Sequence, residues 1–362
     1  MANVDKPDAI SGSAPRPPDR ISRDWVQNPA VAVVNQVPKV MFVMGDVHGD
    51  YDTLVRLLQN AHVIDQKPAS AAQMEWAGKD AVLVCTGDLL DKGKQSIDVL
   101  NALMALQASA AKAGGRVIVT MGNHEVEFLS NNKGYEKKED KEQFQKWLTS
   151  NQQLAQVYAG TDKLGPKGAS VGRWLQNLPV GARVADWFFC HAGNTEGKSI
   201  AEIEKAVRDG VSSEGFGTKF LARPDSMVEA RLGDDKDNFW SQGGKKESGS
   251  DLIARYEKAL GVNHLVMGHQ PGKVEFPNGD KRENCQPYSH FKNAATGLTD
   301  ELFLIDTCNS HAVQEDEGLK DTGVILQFTL RGKPDATQGT LDVFDESGKK
   351  RDMSKVTGWK GS

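Results

Sequence analysis

Cysteine is scarce in this chain: there are four in 362 residues, at 85, 190, 285 and 308, with no CxxC pair among them. Without paired thiolates a structural zinc site is excluded. Cys85 and Cys190 fall inside apolar runs and read as buried free thiols, so a reduced, cytoplasmic setting is expected. A secretory signal removed before residue 1 would leave no trace in the sequence. No apolar run approaches the about 20 residues that span a bilayer, so no membrane partner is expected. A basic excess is also missing. Lys plus Arg number 44 against 49 Asp plus Glu, for a net charge of -5 and a pI near 6.0. Such a balance offers no large basic surface to a nucleic acid. The first 38 residues lack the apolar core of a signal peptide and carry Pro7, Pro15, Pro17 and Pro18. They read as an extended or disordered arm.

What is present is a repeated pattern. Lys39–Met44 reads as a strand ending at Gly45-Asp46-Val47-His48-Gly49, and Tyr51–Asn60 as a helix with Leu54, Leu57 and Leu58 on one face. Ala81–Cys85 is a second strand, ending at Gly87-Asp88-Leu89-Leu90-Asp91-Lys92-Gly93, and a helix follows from about Gln95 to Lys112. Arg116–Met121 is a third, ending at Gly122-Asn123-His124-Glu125. This alternation implies parallel strands with right-handed crossovers, and ligands gather outside the carboxyl ends of such strands. Residues 131–171 read as a helical insertion or cap. Trp187–Cys190 and Leu265–Met267 return to strand and end at His191 and His269. Leu302–Asp306, Val324–Leu330 and Leu341–Phe344 suggest a second, largely antiparallel sheet.

Asp46 and His48 stand two apart at a strand end, so their side chains leave on one side and can share a cation. Asp88 carries two oxygens, enough to bridge two ions. The spacing assigns Asp46, His48 and Asp88 to one metal and Asp88, Asn123, His191 and His269 to the other. Mixed nitrogen and oxygen ligation suits Mn, with Fe or Zn as alternatives. Two divalent cations about 3.5–4 Å apart would hold a bridging hydroxide and neutralise a phosphoryl group under attack. His124, beside a ligand but aimed differently, is the candidate general acid, with Asp91 to orient it and Lys92 to meet phosphate oxygens. Asp306, ending an apolar strand, reads as a site neighbour or a turn cap.

These motifs resemble those of the phosphoprotein phosphatase family of calcineurin-like metallophosphoesterases, GDxHG, GDxxDRG, GNHE, HGG and a late histidine. Gly172-Arg173-Trp174-Leu175-Gln176-Asn177-Leu178-Pro179 and Leu304-Ile305-Asp306-Thr307 are similar to its bacterial, Shewanella-like branch. The resemblance, over roughly Lys39–Asp306, implies an α/β fold of two packed mixed β-sheets flanked by helices (α/β/β/α); the domain reads as residues 39–345, and the polar tail at 346–362 as peripheral. It also implies metal binding by Asp46, His48, Asp88, Asn123, His191 and His269, with His124 as acid and Asp91 as its support. Gly268-His269-Gln270-Pro271 lacks the second histidine found in many phosphodiesterases, which favours the phosphomonoesterase branch. Lys92 stands where the motif has arginine and offers a point charge in place of a bidentate fork. No arginine stands in the 238–242 region where the family's second phosphate-binding arginine was sought. Arg173 is taken as its substitute, with Arg223 and Arg231 as alternatives, and Asn123 as a further phosphate contact. The implied activity is hydrolysis of phosphomonoesters on proteins or peptides, at tyrosine or at serine and threonine. A dinucleoside polyphosphate hydrolase and a non-catalytic metal-bound scaffold are the rivals.

Overall fold

The computed structural model describes residues 23–130, 152–233, 248–276, 281–292 and 300–351. In chain order the strands are β1 (Val31–Val34), β2 (Val40–Met44), β3 (Val82–Cys85), β4 (Arg116–Val119), β5 (Gly181–Val184), β6 (Trp187–Cys190), β7 (His264–Met267), β8 (Val274–Glu275), β9 (Lys281–Arg282), β10 (Tyr288–Lys292), β11 (Asp300–Leu304), β12 (Val324–Lys333) and β13 (Ala336–Asp345). The helices used below are α1 (Tyr51–Asn60), α2 (Ser96–Ala113), α3 (Asn123–Ser130), α4 (Gln152–Ala159), α5 (Val171–Gln176), α6 (Ile200–Glu214), α7 (Lys219–Ala222), α8 (Gly249–Leu260) and α9 (His311–Asp316). One sheet runs β13-β12-β2-β3-β4 and the other β1-β5-β6-β7-β11-β10. Both are mixed: β2, β3 and β4 are parallel, as are β6, β7 and β11, while β12 runs against both its neighbours and β5 runs against β6.

A period of two in the strands sorts apolar side chains into two cores. Met41, Val43, Val82, Val84, Trp187, Phe189 and Val266 fill the space between the sheets. Their neighbours Phe42, Met44, Leu83, Cys85, Phe188, Cys190, Leu265 and Met267 face the helices. Because both faces of β2, β3, β6 and β7 are covered, these strands read as continuous apolar runs. α1 and α2 pack on the five-stranded sheet, and α6 and α8 on the six-stranded one. The result is the α/β/β/α sandwich expected from the resemblance, with every motif loop at one rim.

Four expectations need correction. The arm ends earlier than residue 38. Arg23 is buried and donates to the carbonyls of Asn28, Pro29, Gln176 and Leu178, and β1 pairs in parallel with β5. Four of the prolines that suggested disorder lie before residue 23, outside the described residues. Second, β12 and β13 do not build a second sheet with Leu302–Leu304. β12 joins β2 antiparallel, whereas β11 lies beside β7. Third, Glu346 is not peripheral: its carboxylate accepts from Arg56 at 3.1 Å and Gln314 at 2.7 Å. Fourth, Cys285 and Cys308 form a disulfide, a pairing that their spacing gave no sign of, while Cys85 and Cys190 are buried and free as expected. Of the insertion, residues 131–151 lie outside the described residues; its later part holds α4, and α5, which starts at Val171, packs on α4 and α2.

Glu257 on α8 supplies a test of the packing. It is buried, its Oε1 has no hydrogen-bond partner, and burial, then the Glu301 and Asp186 carboxylates, push its pKa up to about 10. Folding therefore takes up a proton at neutral pH. The stability Glu257 contributes is complete below its unfolded value of about 4.3 and is lost as pH rises toward its folded value. Glu257→Gln is expected to flatten that slope, so that urea unfolding at pH 8 shows a gain of about 2 kcal/mol that is absent near pH 4. Parallel pH profiles for the two proteins would refute it.

Candidate metal centre and acid

Three strand ends meet because their loops are stitched together by backbone. Val47 and His48 both donate their N–H to the Asp88 carbonyl, at 3.0 and 2.8 Å, and Gly49 donates to Leu89 at 2.9 Å. Gly87 sits at φ +100°, and a Cβ there would lie 2.3 Å from the Gly122 nitrogen, so only glycine lets the second and third loops touch. Gly268 is required for contact as well: a Cβ would fall 2.1 Å from Asp46 Oδ1. His48, Asp88, Asp91 and His269 all have positive φ, between 42° and 69°. Left-handed backbone costs a non-glycine residue about 1–2 kcal/mol, and such positions cluster where geometry serves a task other than stability.

Glu125 holds this arrangement. Its buried carboxylate accepts from the backbone N–H of Asp88, Leu89, Leu90 and Gly122, at 2.8, 2.8, 3.1 and 2.7 Å. Glu125 stands in the third motif, but its type and spacing alone assign it no role. The available signal was a carboxylate two residues past a ligand, at a helix start where backbone donors lack partners.

The side chains converge as expected. Asp88 Oδ1 lies 3.2 Å from His191 Nε2, and its Oδ2 3.5 Å from His48 Nε2. Asn123 Oδ1 lies 3.0 Å from His191 Nε2 and 3.1 Å from His269 Nδ1, and those two nitrogens are 3.1 Å apart. Asp46 Oδ2 accepts from the His269 backbone N–H at 2.8 Å, while its Oδ1 is buried without a hydrogen-bond partner. All six are buried.

The far nitrogen of each imidazole faces a carbonyl: His48 Nδ1 is 3.2 Å from Leu90 O, His191 Nδ1 2.9 Å from Thr86 O, and His269 Nε2 2.9 Å from Glu229 O. A carbonyl only accepts, so those nitrogens carry the protons. Each inner nitrogen of a neutral ring then turns a lone pair toward the others and toward Asp88 and Asn123. Burial holds His48 neutral, with a pKa near 3, and His269 well below its ordinary value. Bare lone pairs and carboxylate oxygens at 3.0–3.5 Å repel one another unless cations stand between them. Asp46 shows the same demand: burial, then Asp306 and Asp88, raise its pKa well above the carboxylate range. The donor set fits divalent metal, and the carbonyl partners are those that orient metal-binding histidines.

His124 stands apart from this set. Its Nε2 is 3.8 Å from Asp88 Oδ2, while its Nδ1 is 3.1 Å from Asp91 Oδ2. Burial alone would lower its pKa, but Asp88, Asp91 and Glu127 overcome that and raise it to about 10 in the metal-free protein. Asp91 is correspondingly held at about 2: burial opposes this, and His124 outweighs it. Distance alone would admit His124 to a group with His48 and Asp88, but its other ring nitrogen faces the Asp91 carboxylate and not a carbonyl. Lys92 is exposed beside Asp91, with its charge felt at His48. Arg173 requires correction. It sits on α5, in the outer helical layer, with its Nε on the Gly160 carbonyl at 3.3 Å, and none of its contacts reaches the ligands. The exposed Arg231 is the arginine at the site, its Nη1 3.3 Å from the His269 carbonyl. Asp306 is both neighbour and cap, acting on Asp46 and accepting from the Cys308 N–H at 3.1 Å.

A sandwich that gathers Asp, Asn and His ligands at the strand ends of both sheets defines a metallophosphoesterase. The chain belongs to the calcineurin-like phosphoesterase family, whose model matches residues 40–273; the family uses a dinuclear metal centre. The chain is 28% identical over 281 residues to Shewanella-like protein phosphatase 2 of Arabidopsis thaliana, covering 67% of this chain and 69% of that one. It is 23% identical over 202 residues to a symmetrical bis(5'-nucleosyl)-tetraphosphatase of Vibrio campbellii, covering 54% and 62%. The crystal structure of a cold-active protein-tyrosine phosphatase from a psychrophilic Shewanella species shares the fold, with a TM-score of 0.55 at 21% identity over 86% of this chain and 82% of that one.

Proposed function

We propose that the protein is a dinuclear metal-dependent phosphatase that hydrolyses phosphomonoesters on proteins or peptides, with Mn as the working metal. The observation that carries this reading is the His124–Asp91 pair beside the lone-pair cage, since a scaffold has no use for an imidazole aimed by a carboxylate at its metals. Asp46, His48 and Asp88 would hold one cation, and Asp88, Asn123, His191 and His269 the other. Bound there, the cations supply Lewis acidity to phosphoryl oxygens and acidify water. His124 gives its Nε2 proton to the leaving oxygen while Asp91 keeps Nδ1–H fixed. Arg231 and Lys92 present cations at the mouth for the remaining phosphate charge.

Likeness to the tetraphosphatase favours a second reading, a dinucleoside polyphosphate hydrolase on the same site. The two are separated by Mn-loaded protein assayed on phosphotyrosine, phosphoserine and phosphothreonine peptides beside diadenosine tetraphosphate. At least one peptide is expected to exceed the dinucleotide by about tenfold or more in kcat/KM; the reverse order would hand the site to the rival. No turnover of p-nitrophenyl phosphate between about pH 5 and 9 would leave only the scaffold.

A further inference from the structure

Arg282 on β9 is a fully buried guanidinium, and among the described residues no carboxylate is a hydrogen-bond partner of it. Its Nε donates to the Gln286 carbonyl at 2.7 Å, its Nη1 to the carbonyls of Gln270 and of Gly272 (3.0 Å), and its Nη2 to that of Asp306. Burying a cation is costly unless its donors are satisfied and its charge is offset. Four of its five N–H donors meet carbonyls. The offset comes from Asp306 and Asp46, and burial lowers the pKa only to about 10, so Arg282 stays charged at neutral pH.

The placement of those carbonyls matters more than their number. Gln270 and Gly272 follow ligand His269, and Asp306 follows β11. The loop after β11 is the floor of the first motif: a Cβ on Gly45 would strike the Ile305 carbonyl at 2.6 Å. The first motif closes the triangle, because Asp46 Oδ2 accepts from the His269 N–H at 2.8 Å. Arg282 thus stands behind a junction of three loops, and it binds two of them to each other through main chain alone. A fork of donors fixed in one plane can do this; an ammonium on a flexible stem cannot satisfy all four carbonyls.

We propose that Arg282 is a positioning residue for the metal centre, clamping the His269 loop to the Asp306 loop so that His269 and Asp46 meet their cations at fixed separation. This rests on the metal reading given above. The test uses full-length Arg282→Lys and Arg282→Met, with Mn titration, kcat at saturating Mn, and hydrogen exchange of the His269 amide in metal-free protein. For Arg282→Lys, Mn affinity is expected to fall about tenfold or more at both sites, since His269 serves one cation and Asp46 the other. Saturating Mn should restore kcat, and the His269 amide should exchange faster by a similar factor. Arg282→Met should show the same pattern more strongly. Folded variants with wild-type Mn affinity and wild-type exchange at His269 would overturn the proposal. Failure of both to fold would overturn it too, since Arg282 would then support the whole domain and not a local junction. Wild-type protein that takes up no Mn would defeat the function proposed above, and the exchange comparison would still decide for or against the clamp.

Discussion

Asp88→Asn is expected to reduce phosphomonoester turnover at least about a thousandfold, or some 4 kcal/mol of transition-state stabilisation. The carboxylate is the meeting point of the site: His48, His124 and His191 all reach its oxygens, and the His124 backbone N–H donates to Oδ1 at 3.1 Å. The amide is nearly the same size, so the fold should survive. What it lacks is the negative charge and one of the two acceptor oxygens, and its NH2 would point hydrogens into a space built for cations. Mn at about 100 times its dissociation constant should stabilise the wild type by about 2.7 kcal/mol. The variant should show little of that shift. A folded Asp88→Asn protein with normal Mn content and normal turnover would remove the basis for assigning a bridge.

His124→Asn should also cost heavily, about 10²–10⁴ in turnover, while leaving the metal content near normal. The separation of these effects is the point of the experiment. A proton donor matters most when the leaving oxygen is basic, so the loss on a phosphoserine peptide should exceed that on p-nitrophenyl phosphate, whose phenolate leaves readily. Asp91 is 3.1 Å from Nδ1, and Asp91→Asn should follow the same leaving-group trend with a smaller loss. Metal analysis decides between the roles: large Mn loss in His124→Asn would make His124 a ligand, which its distance from Asp88 Oδ2 also permits.

The candidate ligand set was legible because each residue follows an apolar run and, His191 apart, stands beside a glycine, so one-dimensional spacing fixes its place at a strand end. Both faces of β2, β3, β6 and β7 are covered, which makes those runs long and unmistakable. Legibility failed where partners are remote in sequence. β1 is short and set among polar residues and prolines, and only β5, about 150 residues away, makes it a strand. The β12–β13 hairpin shows its own turn but not which sheet receives it, since β12 pairs with β2 from the other end of the chain. Arg173 looked useful because it lies next to a motif; adjacency in sequence placed it on the wrong side of a helix layer. Arg282 carries no sequence signal at all, because its partners are carbonyl groups that every residue possesses.

Asp46, His48, Asp88 and Asn123 arrive on one sheet of the sandwich, and His191 and His269 on the other. Divalent ions held among them would act as rivets through two plates. Stripping them would free the plates to part at that edge, while the aromatic filling around Trp187 keeps the opposite end shut.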